Sequence, residues 1–340
     1  MMRTAAVFGI ALVVAMATGE AHKPITSPFT FNEHVFPILR QHCGACHVAG
    51  GVAPMSLMTH ADAVPWGESM RLELIAGHMP PWSDSTTPGL SARELDTLMT
   101  WASGGTPPGD EAKAPPPVTL TNEWRLGAPD VTLALPEVTL DANTQERIVE
   151  SVLPSGPRAL RAVDLRPGTP AMVRSATVST RRGHVLLRWQ PGDTPRAANG
   201  AAFVVTAGEE LIIRVRYKKT WEYERAVMTD RSAIGLYTAD AALPPVQQMV
   251  VTLPGHVLDR DVRVLAIAPG TSTTGSDIHL EAIRPDGQRV VLLAARLIPG
   301  WERRYWLDAP VPLPRGTSLR MSASTTTEPR PTVTLDVASK

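Results

Sequence analysis

Hydrophobic positions follow two different periods along the chain. From Phe29 to about Gly104, apolar residues recur every three or four positions, which predicts helices joined by loops. From Val118 to the C-terminus, apolar and polar residues alternate in short runs bounded by turn residues; the clearest runs are 131–135, 202–205, 210–217, 249–253 and 290–293. Many short strands without intervening helices predict β-sandwiches, here two in series.

Three helices are predicted in the first part. One begins after Thr30 and runs toward Cys43, and a second runs from about Pro65 to Ala76. The third begins at the N-cap Ser91, with a glutamate three residues later that completes a capping box, and it stops at Gly104.

The N-terminal segment has the pattern of a secretory signal peptide, residues 1–21. Arg3 supplies the positive charge, Ala5–Ala17 is apolar, and Gly19-Glu20-Ala21 offers a cleavage site before His22. A retained membrane anchor is the alternative, but the apolar stretch is short against the ~20 residues of a membrane span. We therefore expect export to the periplasm.

Charge and composition limit the function classes. Lys and Arg together number 33, as do Asp and Glu, so the chain lacks the basic excess that nucleic-acid binding requires. Proline is abundant, at 32 residues, and five of these prolines fall in 106–117. Such a stretch is extended and semi-rigid, which predicts a Pro-rich linker over 106–121.

The chain has two cysteines, and both belong to the sequence Cys43-Gly44-Ala45-Cys46-His47. In a Cys-x-x-Cys-His sequence, each thiol adds to one haem vinyl group, and the histidine ligates iron from the proximal side. A thioredoxin-like dithiol or half of a zinc site are the alternatives, but neither a βαβ pattern nor a second ligand pair is present in the sequence. The spacing predicts one covalent haem c.

The sixth ligand of the iron is expected from later in the chain. Met79 stands in the proline-bounded segment His78-Met79-Pro80-Pro81-Trp82, which can present a thioether with little motion, and it is the predicted distal ligand. Methionine ligation favours electron transfer over oxygen chemistry. The alternatives are Met55, Met58, His60, Met70, His78 and Met99.

These residues carry a resemblance to known families. The segment Thr30–Gly105 resembles a class I cytochrome c domain in its helix order, its Cys-Gly-Ala-Cys-His sequence and its Met-Pro-Pro-Trp loop. The chain is also similar to bacterial proteins in which such a domain precedes a module like the copper type II, ascorbate-dependent (peptidylglycine hydroxylating) monooxygenases, and the weaker resemblance of the rear part extends over most of Asn122–Ser322. The shared phrases lie at 36–39, 53–56, 78–82, 165–168, 280–287 and 313–317.

The copper ligands of that family do not carry over. Where the family has histidines, this chain has Arg174-Ser175, Arg216 and Gly270-Thr271-Ser272. These side chains cannot replace imidazole on copper. The resemblance therefore implies a degenerate, copper-free scaffold, and no catalytic residue is assigned.

The resulting expectation is a multidomain chain with an all-α cytochrome c domain and an all-β region of two jelly-roll-like sandwiches. The predicted divisions are the signal peptide 1–21, the haem domain 22–105, the linker 106–121 and the sandwiches 122–230 and 231–340.

Three functions follow from this organisation. The first is a periplasmic monohaem c-type cytochrome that passes single electrons to redox protein partners, including a membrane complex, while the sandwiches dock the partner. The second is a haem-bearing structural or accessory subunit of a larger exported or membrane-attached redox complex, and a copper monooxygenase ranks last. No nucleic acid and no small-molecule substrate are expected.

Overall fold

A computed structural model describes residues 26–81, 89–154, 156, 158–270, 276–301, 303–324 and 331–339. The predicted signal peptide, Trp82 and the Thr271-Ser272 pair lie outside the described residues.

Short helices form the first part of the chain. A π-helical turn, Phe31–Val35, continues into α1 (Phe36–His42), and a 3-10 turn joins α2 (His60–Ala63) to α3 (Gly67–Ala76). The last helix, α4 (Ala92–Ser103), starts with the predicted capping box. The backbone N–H of Glu94 donates to the Ser91 hydroxyl, and the backbone N–H of Ser91 donates to the Glu94 carboxylate. Within the described residues, no helix is long and apolar enough to span a membrane.

The expectation of an all-α cytochrome c domain is wrong. The described residues are 40% strand and 17% helical, and the helices of the first part have only 4 to 12 residues. Long irregular segments separate them, at 43–59 and again at 104–130 apart from one 3-10 turn. Glycine and proline explain this outcome: Gly50, Gly51 and Pro54 interrupt the first irregular segment, and the Pro-rich linker occupies the second.

Eighteen strands follow among the described residues. The first ten are β1 (Val131–Ala134), β2 (Val138–Leu140), β3 (Glu146–Pro154), β4 (Arg158–Arg166), β5 (Val173–Thr180), β6 (Val185–Trp189), β7 (Phe203–Val205), β8 (Glu210–Lys218), β9 (Met228–Asp230) and β10 (Ala233–Thr238). The remaining eight are β11 (Gln247–Thr252), β12 (Gly255–Val257), β13 (Val262–Pro269), β14 (Ser276–Ile283), β15 (Arg289–Leu297), β16 (Tyr305–Leu313), β17 (Ser318–Ala323) and β18 (Thr332–Ala338).

The first ten strands form one sandwich. Two antiparallel four-stranded sheets, ordered β1-β10-β4-β7 and β3-β8-β5-β6, enclose one apolar core, and β2 pairs with β9 beside them. The alternating burial along β5 and β8 fits strands with one face on the core and one face away from it. Strand β10 pairs with β4, so the first sandwich extends to Thr238.

The last eight strands form the second sandwich. Its sheets are ordered β11-β18-β13-β16 and β12-β17-β14-β15, again antiparallel, and their inner faces share a second core. Strand β13 is buried along almost its whole length because it lies between β16 and β18.

Candidate haem-attachment site

The Cys-x-x-Cys-His residues form one turn directly after α1. The amide of Cys43 donates to Leu39 O at 2.8 Å, which continues the helix, and Cys43 O accepts from Cys46 N at 3.1 Å and from His47 N at 2.9 Å. This turn holds the two sulfurs and the imidazole within one loop of backbone. That is the arrangement that attachment to a single macrocycle requires.

Gly44 fits the turn because it has no side chain. A Cβ atom there would lie 2.7 Å from Arg40 O and 3.3 Å from Met58 Sδ. The turn therefore closes against the end of α1 and against the buried side chain of Met58.

The imidazole of His47 is held in one orientation. Burial lowers its pKa, so the neutral ring prevails near pH 7, and its Nδ1 lies 3.2 Å from Met55 O. Because a carbonyl oxygen only accepts, the proton resides on Nδ1 and the lone pair resides on Nε2. A backbone carbonyl on the far ring nitrogen is the usual outer support of a metal-ligating histidine.

The segment Val48–Leu57, here called the attachment loop, supplies that carbonyl. The loop is tied to the turn at two points, since Ala53 N donates to Cys46 O at 3.2 Å and Leu57 N donates to His47 O at 3.0 Å. Within the loop, Gly51 N donates to Val48 O at 2.8 Å. The sequence did not indicate this loop, because no local pattern marks a carbonyl that will meet a ring eight residues earlier.

The two cysteines form no disulfide with each other, and burial raises the pKa of the Cys43 thiol and of the Cys46 thiol to about 12. A reactive dithiol needs the opposite shift, since the thiolate is the nucleophile. The thioredoxin-like alternative is therefore disfavoured by the environment of the sulfurs.

The apolar side chains of the helical part fall into a buried group and an exposed group. The buried group forms a cluster around Phe31, Leu39, Leu98 and Trp101. In contrast, Leu72 and Ile75 of α3 are 52% and 60% exposed. Adjacent exposed apolar side chains on one helix are characteristic of a surface that a ligand or partner covers.

The predicted distal ligand, Met79, lies in the irregular segment after α3 and is 40% exposed. Met58 is buried in the apolar cluster, while Met55, Met70 and Met99 are partly buried. The ring nitrogens of two histidine alternatives have partners: His60 Nε2 lies 2.8 Å from Thr106 O, and His78 Nδ1 lies 3.1 Å from Glu73. Met79 thus combines exposure with a position outside the core.

A polar cavity of about 70 Å³ separates the turn from the first sandwich. Its walls include Ala45 and Val52 on one side and Asp164 and Asp193 on the other. Burial raises the pKa of each of the two carboxyls to about 6, although Asp193 also pairs with Arg303 at 2.7 Å. Cys46 Sγ lies 3.8 Å from Pro191 O beside this cavity.

Two of the positions that the resemblance assigns to copper ligands hold arginines. Arg174 donates to Val52 O at 2.6 Å, and Arg216 pairs with Glu146 at 2.7 Å. Across the described part of the chain, no three His, Cys, Asp or Glu side chains are grouped as a metal site would require. The contact between Arg174 and the attachment loop was missed by sequence reasoning, since 122 residues separate its two partners.

Comparison of the sequence with models of known protein families finds no match, and a search of curated proteins finds none either.

Proposed function

We propose that this chain is a monohaem c-type cytochrome that carries single electrons between redox protein partners in the periplasm. Cys43 and Cys46 hold the haem covalently, His47 is the proximal ligand of the iron, and Met79 is the distal ligand. The β-sandwich region serves as a scaffold that docks a partner. Haem, when bound, supplies a one-electron couple.

One observation carries the proposal: the Nδ1 of His47 is committed to Met55 O while the two thiols lie on the same turn. The histidine therefore presents Nε2, the free nitrogen, from the backbone loop that bears both sulfurs. Leu72 and Ile75 of α3, in the same helical part of the chain, are exposed apolar side chains of the kind that a ligand or partner covers.

The residues of the chain have distinct tasks in this function. Cys43 and Cys46 prevent loss of the group, and Met55 holds the proximal ring in one tautomer. Met79 would supply a thioether ligand to the iron, and methionine ligation favours electron transfer over oxygen and peroxide chemistry.

The test uses the exported full-length protein. One haem per chain that resists extraction with acidified acetone is expected, and the double variant Cys43→Ser, Cys46→Ser should lose that resistance. The oxidised protein should show the weak far-red sulfur-to-iron band, and Met79→Ala should abolish it. Haem that extracts completely from the unaltered protein contradicts covalent attachment, and a band that persists in Met79→Ala removes Met79 as ligand.

A second function, a haem-bearing accessory subunit of a larger redox complex, uses the same site. An accessory subunit differs from a free electron carrier because it is bound within the larger complex. Purification from the native membrane and periplasmic fractions decides between the two, because a free monomer with reversible one-electron chemistry excludes the accessory role.

A further inference from the structure

Arg174 occupies an irregular position in the first sandwich. In the pairing of β5 with β8, Val173 opposes Tyr217 and Ser175 opposes Arg216, so Arg174 is the extra residue of a β-bulge. A bulge interrupts the ladder and turns one side chain out of the regular alternation. Here the redirected side chain reaches the attachment loop, where its Nη1 donates to Val52 O at 2.6 Å.

The contact continues through the loop to the proximal histidine. Val52 lies between the amides of Gly51 and Ala53, which bond to Val48 O and Cys46 O respectively. Three residues further on, Met55 O contacts His47 Nδ1. The Arg174 bond to Val52 and the Met55 contact with His47 are thus the two ends of a chain of contacts that runs from the bulge of β5 through the loop to the imidazole.

The charges around Arg174 are compatible with a fixed position. Burial, with a smaller contribution from the charge of Arg216, lowers the pKa of Arg174 to about 10, so the guanidinium still carries its charge near pH 7. Glu146 partly offsets the two arginines, since it pairs with Arg216 at 2.7 Å and lies 3.8 Å from Lys218. Because the guanidinium is half-buried, its charged hydrogen bond to Val52 O is stronger than it would be in water, and the bond holds Val52 in position.

We propose that Arg174 is a positioning residue for the proximal histidine: its bond to Val52 anchors the attachment loop on the first sandwich, and the loop fixes the ring of His47 through Met55. This inference rests on the proposed function for the role of His47. The anchoring of the loop itself does not depend on bound haem.

The experiment compares Arg174→Gln and Arg174→Lys with Arg181→Gln, an exposed arginine just beyond the other end of β5 that pairs with Glu210. In the haem-loaded protein, NMR measures the exchange rate of the His47 Nδ1 proton. We expect a rise of about tenfold in Arg174→Gln, because a local opening that costs 1.4 kcal/mol less is ten times more populated. Arg174→Lys, which retains one charged donor, should restore most of the protection, and Arg181→Gln should leave the rate unchanged.

A second readout uses the haem-free protein in a Cys43→Ser background. Alkylation of Cys46 by iodoacetamide should accelerate about tenfold in Arg174→Gln, since release of the loop also frees the backbone of Cys46, whose carbonyl accepts from Ala53 N. Rates within twofold of the unaltered protein in both measurements overturn the inference.

The outcomes separate the two proposals. Absence of covalent haem from the unaltered protein refutes the proposed function, while the alkylation rates still decide whether Arg174 anchors the loop. If Arg174→Gln does not fold, hydrogen exchange in the unaltered protein decides. The amides of Gly51 and Leu57 should then exchange as slowly as those of β5, and exchange at the rate of an open loop contradicts the anchor.

Discussion

Arg304 and Asp336 form a buried ion pair where the two sandwiches meet, with Arg304 Nε 2.9 Å from the carboxylate of Asp336. The same guanidinium donates to Leu186 O at 2.7 Å and to Val185 O at 2.6 Å, both on β6 of the first sandwich. Gln248 joins the network by donating to Asp336 and to Val185 O, both at 2.8 Å. One arginine thus connects β18 with the edge strand of the other sandwich.

Removal of the carboxylate from this pair should destabilise the protein strongly. Asp336→Asn leaves a buried guanidinium without its counter-charge, and breaking such a pair costs about 3–5 kcal/mol. Urea unfolding measures the loss. Asp277→Asn is the matched control, because its pair with Arg296 is exposed and should contribute little. Equal effects of the two substitutions contradict a structural role for the buried pair.

The carboxyl of Asp164 should make stability depend on pH. Its pKa is raised from 3.8 to about 6 by burial, so ionisation opposes folding at pH values above about 6. The opposition declines as the pH falls below 6 and disappears below 3.8, where the group is protonated in both folded and unfolded chains.

Asp164→Asn should therefore stabilise the protein at pH 8 relative to pH 4, by a difference on the order of 3 kcal/mol. The asparagine oxygen can keep the bond that Leu165 N donates to this side chain at 2.8 Å. Urea midpoints of both proteins at the two pH values provide the measurement. A stabilisation that is equal at pH 4 and pH 8 means that Asp164 titrates near its ordinary value.

Gly51 should tolerate no side chain. A Cβ at this position would lie 2.4 Å from Cys46 O and 2.8 Å from Val48 O, so Gly51→Ala must displace the backbone of the attachment loop. The yield of covalent haem should fall several-fold, as measured by the absorbance of the reduced protein per chain.

The neighbouring Gly50 provides the control for this substitution. Its φ is +73° and nothing lies within 4 Å of a Cβ, so Gly50→Ala incurs only the left-handed backbone strain of about 1–2 kcal/mol. Comparable haem yields in the two variants argue against a steric requirement at Gly51.

The capping box of α4 should contribute measurably to stability. Ser91→Ala removes the hydroxyl that accepts from Glu94 N, and loss of an N-cap typically costs about 1 kcal/mol. Ser69→Ala, at an exposed position inside α3, is the control and should be neutral or slightly stabilising. Thermal unfolding of the two variants distinguishes these effects, and a neutral Ser91→Ala shows that the box is dispensable.

The sequence alone was enough to place the three helical regions, the capping box at Ser91 and the change to strands after the linker. These features are local: periodicity, capping and turn residues act over a few positions, so they can be read without knowledge of the fold. The haem-attachment hypothesis belongs to the same class, because its residues Cys43, Cys46 and His47 share one turn.

The expectation of an all-α domain in the first part of the chain was wrong because it, too, rested on local patterns. Periodicity finds helical segments but does not show how much chain lies between them, and the segments 43–59 and 104–130 adopt largely irregular structure around glycine and proline. Local patterns therefore overestimated the helical character of the first part.

Only the tertiary structure decided which distant residues support the site. Met55 O contacts the His47 ring because the attachment loop folds back onto the turn. Arg174 contacts Val52, 122 residues away in sequence, because a β-bulge redirects its side chain. Asp164 and Asp193 acquire raised pKa values because folding buries both beside one cavity. Such contacts depend on burial and on the path of the backbone in space, and neither leaves a periodic mark in the sequence.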